Sequence, residues 1–192
     1  TRHDDCEFLS HPLLRDFSVE SREYQVNIAS ECAEKSTLVV LPTALGKTII
    51  AALAAIKRLA KYPWAKILVL APTRPLVLQH FNSFKKILNA PEEEFSLMSS
   101  RIPSKSREFF WEKSRFIFST PQIVKNDLDN GRYDLSNVAM LVLDEVHHLS
   151  AQGNQMMARC FAAPLRLGLT ATPPEGDALE AIRTLVGPKV YE

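Results

Sequence analysis

Two segments of this sequence carry residue types that handle phosphate and metal. Leu41-Pro42-Thr43-Ala44-Leu45-Gly46-Lys47-Thr48 lies between a short apolar run and a stretch with apolar residues at Ile49, Leu53, Ile56 and Leu59. In such a loop the backbone N–H groups of Thr43, Ala44, Leu45 and Gly46, with the N-terminus of the helix that follows, can cradle phosphate oxygens. Lys47 can reach the β- and γ-phosphates, and the Thr48 hydroxyl can ligate Mg²⁺. The strict G-x-x-x-x-G-K-[ST] spacing fails only at its first position, where Leu41 stands. In the second segment, Met140-Leu141-Val142-Leu143-Asp144-Glu145-Val146-His147-His148, a hydrophobic run ends abruptly in two carboxylates. Asp144 can hold Mg²⁺, usually through water, while Glu145 orients or deprotonates an attacking water. A solvated strand end or a helix cap is the bland alternative for these acids. His147 and His148 have no Cys or further His near in sequence, which argues against zinc.

Three other segments are ambiguous when read singly. In Leu167-Gly168-Leu169-Thr170-Ala171-Thr172-Pro173, the hydroxyls of Thr170 and Thr172 can bond the acids and report the state of a γ-phosphate, or simply form a Thr-rich turn before proline. Ala71-Pro72-Thr73-Arg74-Pro75 and Ser119-Thr120-Pro121-Gln122 can offer hydroxyl, N–H and guanidinium groups to a phosphodiester backbone. Each is also an ordinary helix N-terminus, the reading favoured when either is taken singly. Lys85-Lys86 and the basic residues from Arg101 to Arg107 read as solvated charge.

These groups need a scaffold that brings separated strand ends together. Short apolar runs alternate with helix-length amphipathic stretches, the pattern of an α/β fold whose mostly parallel sheet is covered by helices on both faces. Strands are predicted at 37–41, 66–71, 95–99, 115–119, 139–143 and 165–169. Helices are predicted at 22–35, 47–62, 75–88, 104–114, 122–130, 154–161 and 177–186. In a parallel sheet, loops leaving the carboxyl ends of the strands share one crevice, so the phosphate loop and the acids face each other. The six glycines all read as loop or segment ends. Residues 1–19 show no period and read as an N-terminal arm, with one domain over 20–192.

Composition narrows the class. The chain has 192 residues, 46% hydrophobic and 23% charged, which suits a globular domain and excludes disorder or a coiled coil. A net charge of +1 announces no global basic field. Three separated cysteines without a C-x-x-C pair fit a reducing compartment. No apolar run approaches the ~20 residues of a membrane span. The start Thr1-Arg2-His3-Asp4-Asp5 has neither an initiator Met nor a signal core, so the chain reads as soluble, cytoplasmic (nuclear in a eukaryote) and cut from something longer.

In this order, the segments resemble the first RecA-like motor domain of superfamily 2 helicases, a three-layer P-loop NTPase fold. Leu41 to Thr48 resembles motif I, Ala71 to Pro75 motif Ia, Ser119 to Gln122 motif Ib, Asp144 to His147 the DExH form of motif II, and Thr170 to Thr172 motif III. Arg22-Glu23-Tyr24-Gln25 resembles the adenine-contacting motif, which implies Gln25 and Arg22 at the base. Pro75 to His80 and Thr120-Pro121-Gln122 with Asn126-Asp127-Leu128 are similar to the archaeal Hef and eukaryotic FANCM helicases, ATP-driven translocases that remodel forked and branched DNA.

The resemblance implies ATP and Mg²⁺ as cofactors and nucleic acid contacts at Thr73, Arg74, Thr120, Pro121 and Gln122. It implies coupling through His147, Thr170 and Thr172, with Thr170 also near the nucleotide. It further implies a second RecA-like domain, carrying an arginine finger, downstream in the same full-length protein, so that this chain alone binds ATP weakly and hydrolyses it poorly.

The sequence departs from the family at Ala44, where motif I usually has Gly and a methyl is tolerable only at negative φ. Val146, His148 and Ser99-Ser100 are the other departures. The motor motifs alone fit RNA as substrate as well as DNA, because protein contacts are mainly to the backbone. A degenerate nucleotide-binding scaffold and a metabolic P-loop kinase are the readings from other classes.

Overall fold

The computed structural model describes residues 9–16, 18–20, 22–42, 44–145, 165–172, 175–187 and 189–191. Among the described residues, seven strands form one sheet: β1 (Thr37–Val40), β2 (Lys66–Leu70), β3 (Phe95–Leu97), β4 (Phe116–Ser119), β5 (Val138–Asp144), β6 (Arg166–Thr170) and β7 (Lys189–Tyr191). Their order across the sheet is β3-β4-β2-β5-β6-β1-β7, and the neighbours pair in parallel. The helices are α1 (Glu23–Cys32), α2 (Ala44–Lys61), α3 (Arg74–Ile87), α4 (Ser104–Lys113), α5 (Pro121–Asp129) and α6 (Asp177–Val186).

Alternation along the strands makes the three layers. Val39, Val69, Phe118 and Val142 pack on one face with Ile50, Ile56, Val77 and Phe84 of α2 and α3, together with Cys32 of α1. Leu38, Leu68, Ile117 and Leu141 pack on the other with Trp111, Val124, Ile182 and Val186 of α4, α5 and α6. Both faces are covered, which is why the strands read as unbroken apolar runs rather than alternating ones. On α1, burial pushes the Cys32 thiol up to about 12 despite a hydrogen bond with Thr37, so this buried cysteine is a packing residue.

Several expectations need correction. Gly168 lies inside β6 and Gly46 inside α2, not at segment ends. A Cβ on Gly168 would come within 3.0 Å of Val186 and 3.1 Å of Leu38, so its missing side chain lets α6 close on the sheet. Arg107 is not solvated: it is buried on α4, its Nε 2.7 Å from Asp127 Oδ2 on α5. In the 1–19 arm, Leu14 and Val19 are buried, Leu14 bridges to Leu88, and the Ser18 hydroxyl donates to the Ile87 carbonyl. Strand β7 gave no readable signal, being three residues long after Gly187 and Pro188. The helix expected at 154–161 lies outside the described residues.

Candidate nucleotide and nucleic-acid site

Three adjacent strands, β5, β6 and β1, end side by side and carry the candidate site residues. The register pairs Val40 with Thr170 and Asp144 with Leu169, and the Leu41 N–H donates to the Thr170 carbonyl. The last residue of β5, the last of β6 and the loop after β1 therefore lie on one sheet edge, the carboxyl edge where ligands bind in open α/β sheets.

The segment expected to cradle phosphate runs straight into α2, whose helical backbone begins at Ala44. Among the described non-glycine residues only Glu145 has a positive φ, so Ala44 does not need the conformational freedom of glycine. Lys47 and Thr48, 2% and 3% exposed, occupy the first turns of that helix. The Lys47 ammonium lies 3.3 Å from Glu145 Oε1, and Thr48 Oγ1 lies 3.4 Å from His80 Nδ1.

Asp144 and Glu145 are consecutive yet serve different partners. Glu145 turns the chain at the strand end with φ 51°, a left-handed conformation that a non-glycine residue adopts at some energetic cost. Its own N–H donates to Asp144 Oδ1 at 2.9 Å, while Asp144 Oδ2 lies 2.6 Å from His80 Nε2. Burial alone would raise the Asp144 carboxyl. The hydrogen bond from His80, the charge of Lys47 and the Glu145 N–H prevail and hold it below its ordinary value. A carboxylate kept ionised and a buried hydroxyl, joined through one imidazole, are hard oxygen donors of the kind Mg²⁺ takes alongside phosphate and water. The residues present therefore fit that ion, which Thr48 and Asp144 would hold.

His80 is the residue that sequence reasoning missed at this site. The available signal was a histidine on the face of α3 that buries Val77, Phe84 and Ile87, where a polar side chain must find a partner. Thr170 Oγ1 accepts the Thr172 N–H at 3.2 Å and donates to the Thr172 carbonyl at 2.9 Å, making the turn that ends β6. Gln25 is buried on α1, whereas Arg22, just before that helix, is exposed and pairs with Glu20 at 3.2 Å. Thr43 and His147 lie outside the described residues.

On the far side of β5, strands β2 and β4 end at the same edge, and α3 and α5 start there with Pro75 and Pro121 in their first turns. Arg74, Ser99, Ser100, Thr120 and Gln122 share one cleft of about 270 Å³ with Val77, Met98 and Ile123. Thr73 is exposed beside it, and Pro121 is buried. Arg107 braces this cleft: it pairs with Asp127 of α5 and donates through Nη1 to the carbonyls of Ser99 and Ile102.

The pattern of the DEAD/DEAH box helicase family matches residues 22–181, and the chain belongs to that family. It is 39% identical over 168 residues to a Methanocaldococcus jannaschii protein named as an ATP-dependent RNA helicase, covering 86% of this chain and 22% of that one. It is 32% identical over 197 residues to the ATP-dependent DNA helicase Fml1 of Schizosaccharomyces pombe, covering 96% and 22%. The crystal structure of the Pyrococcus furiosus Hef helicase domain matches with a TM-score of 0.84 at 36% identity, over 93% of this chain and 39% of that one. The fold is thus the RecA-like helicase fold, and the chain spans about a fifth of the length of these curated relatives. Among the described residues no helix is long and apolar enough to cross a membrane.

Proposed function

We propose that this chain is the ATP-binding half of an ATP-dependent DNA helicase or translocase that remodels forked or branched DNA. The observation that carries the reading is the meeting of Lys47, Thr48, Asp144 and Glu145 at one sheet edge, beside a cleft lined by Arg74, Thr120 and Gln122. The α2 N-terminus and Lys47 receive the ATP phosphates. Thr48 and Asp144 would hold Mg²⁺, which neutralises charge on the transferred phosphoryl group when bound. Glu145, released from Lys47 as the phosphates arrive, orients the attacking water. Thr170 and Thr172 follow the state of that site, and Gln25 and Arg22 serve the adenine.

A second RecA-like domain in the same full-length protein completes the reaction with an arginine finger, a contribution of about 10³ to 10⁵ in rate where measured. Alone, the 192-residue chain hydrolyses ATP slowly. DNA is favoured by the motif Ia and Ib resemblance and by the likeness to Fml1. The name of the M. jannaschii relative supports RNA as the second reading.

The test is ATP hydrolysis by this chain joined to its second motor domain, with forked DNA, linear duplex, single-stranded DNA and RNA at one salt concentration, because phosphate contacts make binding salt-dependent. Strongest stimulation by forked DNA supports the proposal, stimulation by RNA alone replaces the substrate, and no hydrolysis with any of them favours a nucleotide-binding scaffold.

A further inference from the structure

We infer that His80 is a positioning residue for the magnesium of a bound nucleotide, because from α3 it holds both side chains that would ligate the ion. This rests on the reading of the site given under Proposed function. His80 is 4% exposed, with Nε2 2.6 Å from Asp144 Oδ2 and Nδ1 3.4 Å from Thr48 Oγ1. A buried imidazole between a carboxylate and a hydroxyl has one tautomer that satisfies both: Nε2–H donates to Asp144 and Nδ1 accepts the Thr48 proton. That arrangement turns the Thr48 proton toward the ring. It also completes a two-donor clamp on Asp144, whose Oδ1 already accepts the Glu145 N–H at 2.9 Å. The carboxylate is therefore fixed before any ion arrives, and neighbours that fix a ligand in this way are worth about 10- to 100-fold in metal affinity.

The location of His80 adds a second role for the same contact. Arg74, which lines the proposed nucleic-acid cleft, lies about 9 Å earlier along the same helix at 1.5 Å per residue. One rigid element thus carries both the cleft residue and the group that sets the metal ligands.

The test titrates a fluorescent N-methylanthraniloyl ATP analogue into the 192-residue chain over a series of Mg²⁺ concentrations and in EDTA. His80→Phe keeps a ring without nitrogens, His80→Ala removes the ring, and His80→Gln restores a donor toward Asp144. Phe and Ala are expected to raise the Mg²⁺ concentration for half-maximal tightening by about 10- to 100-fold and to leave the affinity in EDTA unchanged, with Gln recovering part of the loss. An unchanged Mg²⁺ dependence in whichever of the Phe and Ala variants remains folded, judged by its urea transition, would overturn the inference, as would equal weakening with and without Mg²⁺. If the unaltered chain binds no nucleotide, the reading of the site falls as well.

Discussion

The Lys47 ammonium sits 3.3 Å from Glu145 Oε1, closing the phosphate loop onto the acid assigned to the attacking water. Lys47 is 2% exposed, and a buried ammonium needs a counter-charge. Glu145 supplies it, and an incoming phosphate offers the same kind of anion. In the proposed function, nucleotide binding would exchange one anion for another rather than strand a charge, and would free Glu145 for water.

Acid should weaken the fold through Asp144. Its carboxyl is held below the ordinary 3.8. A group whose pKa is lower folded than unfolded adds stability that is present above the unfolded value and lost as pH falls through the folded one. The urea midpoint is therefore expected to drop as pH is lowered through and below 3.8, and the drop should be smaller in Asp144→Asn. Midpoints measured on both sides of that window check the sign.

Arg107 and Asp127 should behave as a buried pair. Arg107→Met leaves Asp127, fully buried, with the Tyr133 hydroxyl at 3.1 Å but without its cation. Breaking such a pair from one side costs about 3 to 5 kcal/mol. The double variant Arg107→Met/Asp127→Leu is expected to recover a large part of that loss in urea denaturation, because no charge is then left unpaired.

Two glycines with positive φ should respond differently to alanine. At Gly187, φ is +136° and a Cβ would lie 2.6 Å from the Ser36 carbonyl oxygen, whereas at Gly131, φ is +62° in open space. Gly131→Ala is expected to cost about 1 to 2 kcal/mol from backbone conformation alone. Gly187→Ala should cost more, since the Ser36 segment must also move. Equal losses in urea denaturation would contradict the assigned contact.

Arg74→Ala should weaken nucleic-acid binding similarly across sequences and lower the salt slope by about 1, as expected for one phosphate contact. Nucleotide affinity should stay unchanged, because the residue lies in the cleft rather than at Lys47. Filter binding at several salt concentrations with forked DNA measures both effects.

The strand ends were legible because burial on both faces writes near-continuous apolar runs, and Asp144-Glu145 interrupts one of them. The strand-to-helix setting of Gly46-Lys47-Thr48 was legible despite Leu41, because a short apolar run precedes it and an amphipathic stretch follows. His80 was not, because a histidine among Val77, Phe84 and Ile87 does not say which carboxylate it will meet 64 residues away. Arg107 hid for the same reason: its partner Asp127 is on another helix, and local charge pattern carries no pairing. Gly168 passed for punctuation because close packing against Val186 has no local signature.

The most direct measurement is nucleotide affinity of this chain and of Lys47→Ala, by titration of a fluorescent ATP analogue in the presence of Mg²⁺. Removing a charge-assisted contact worth about 1.5 to 3 kcal/mol should weaken binding about 10- to 150-fold while the variant keeps a cooperative urea transition. Equal affinity in the two folded proteins would contradict the assignment of residues 41–48 as the phosphate site.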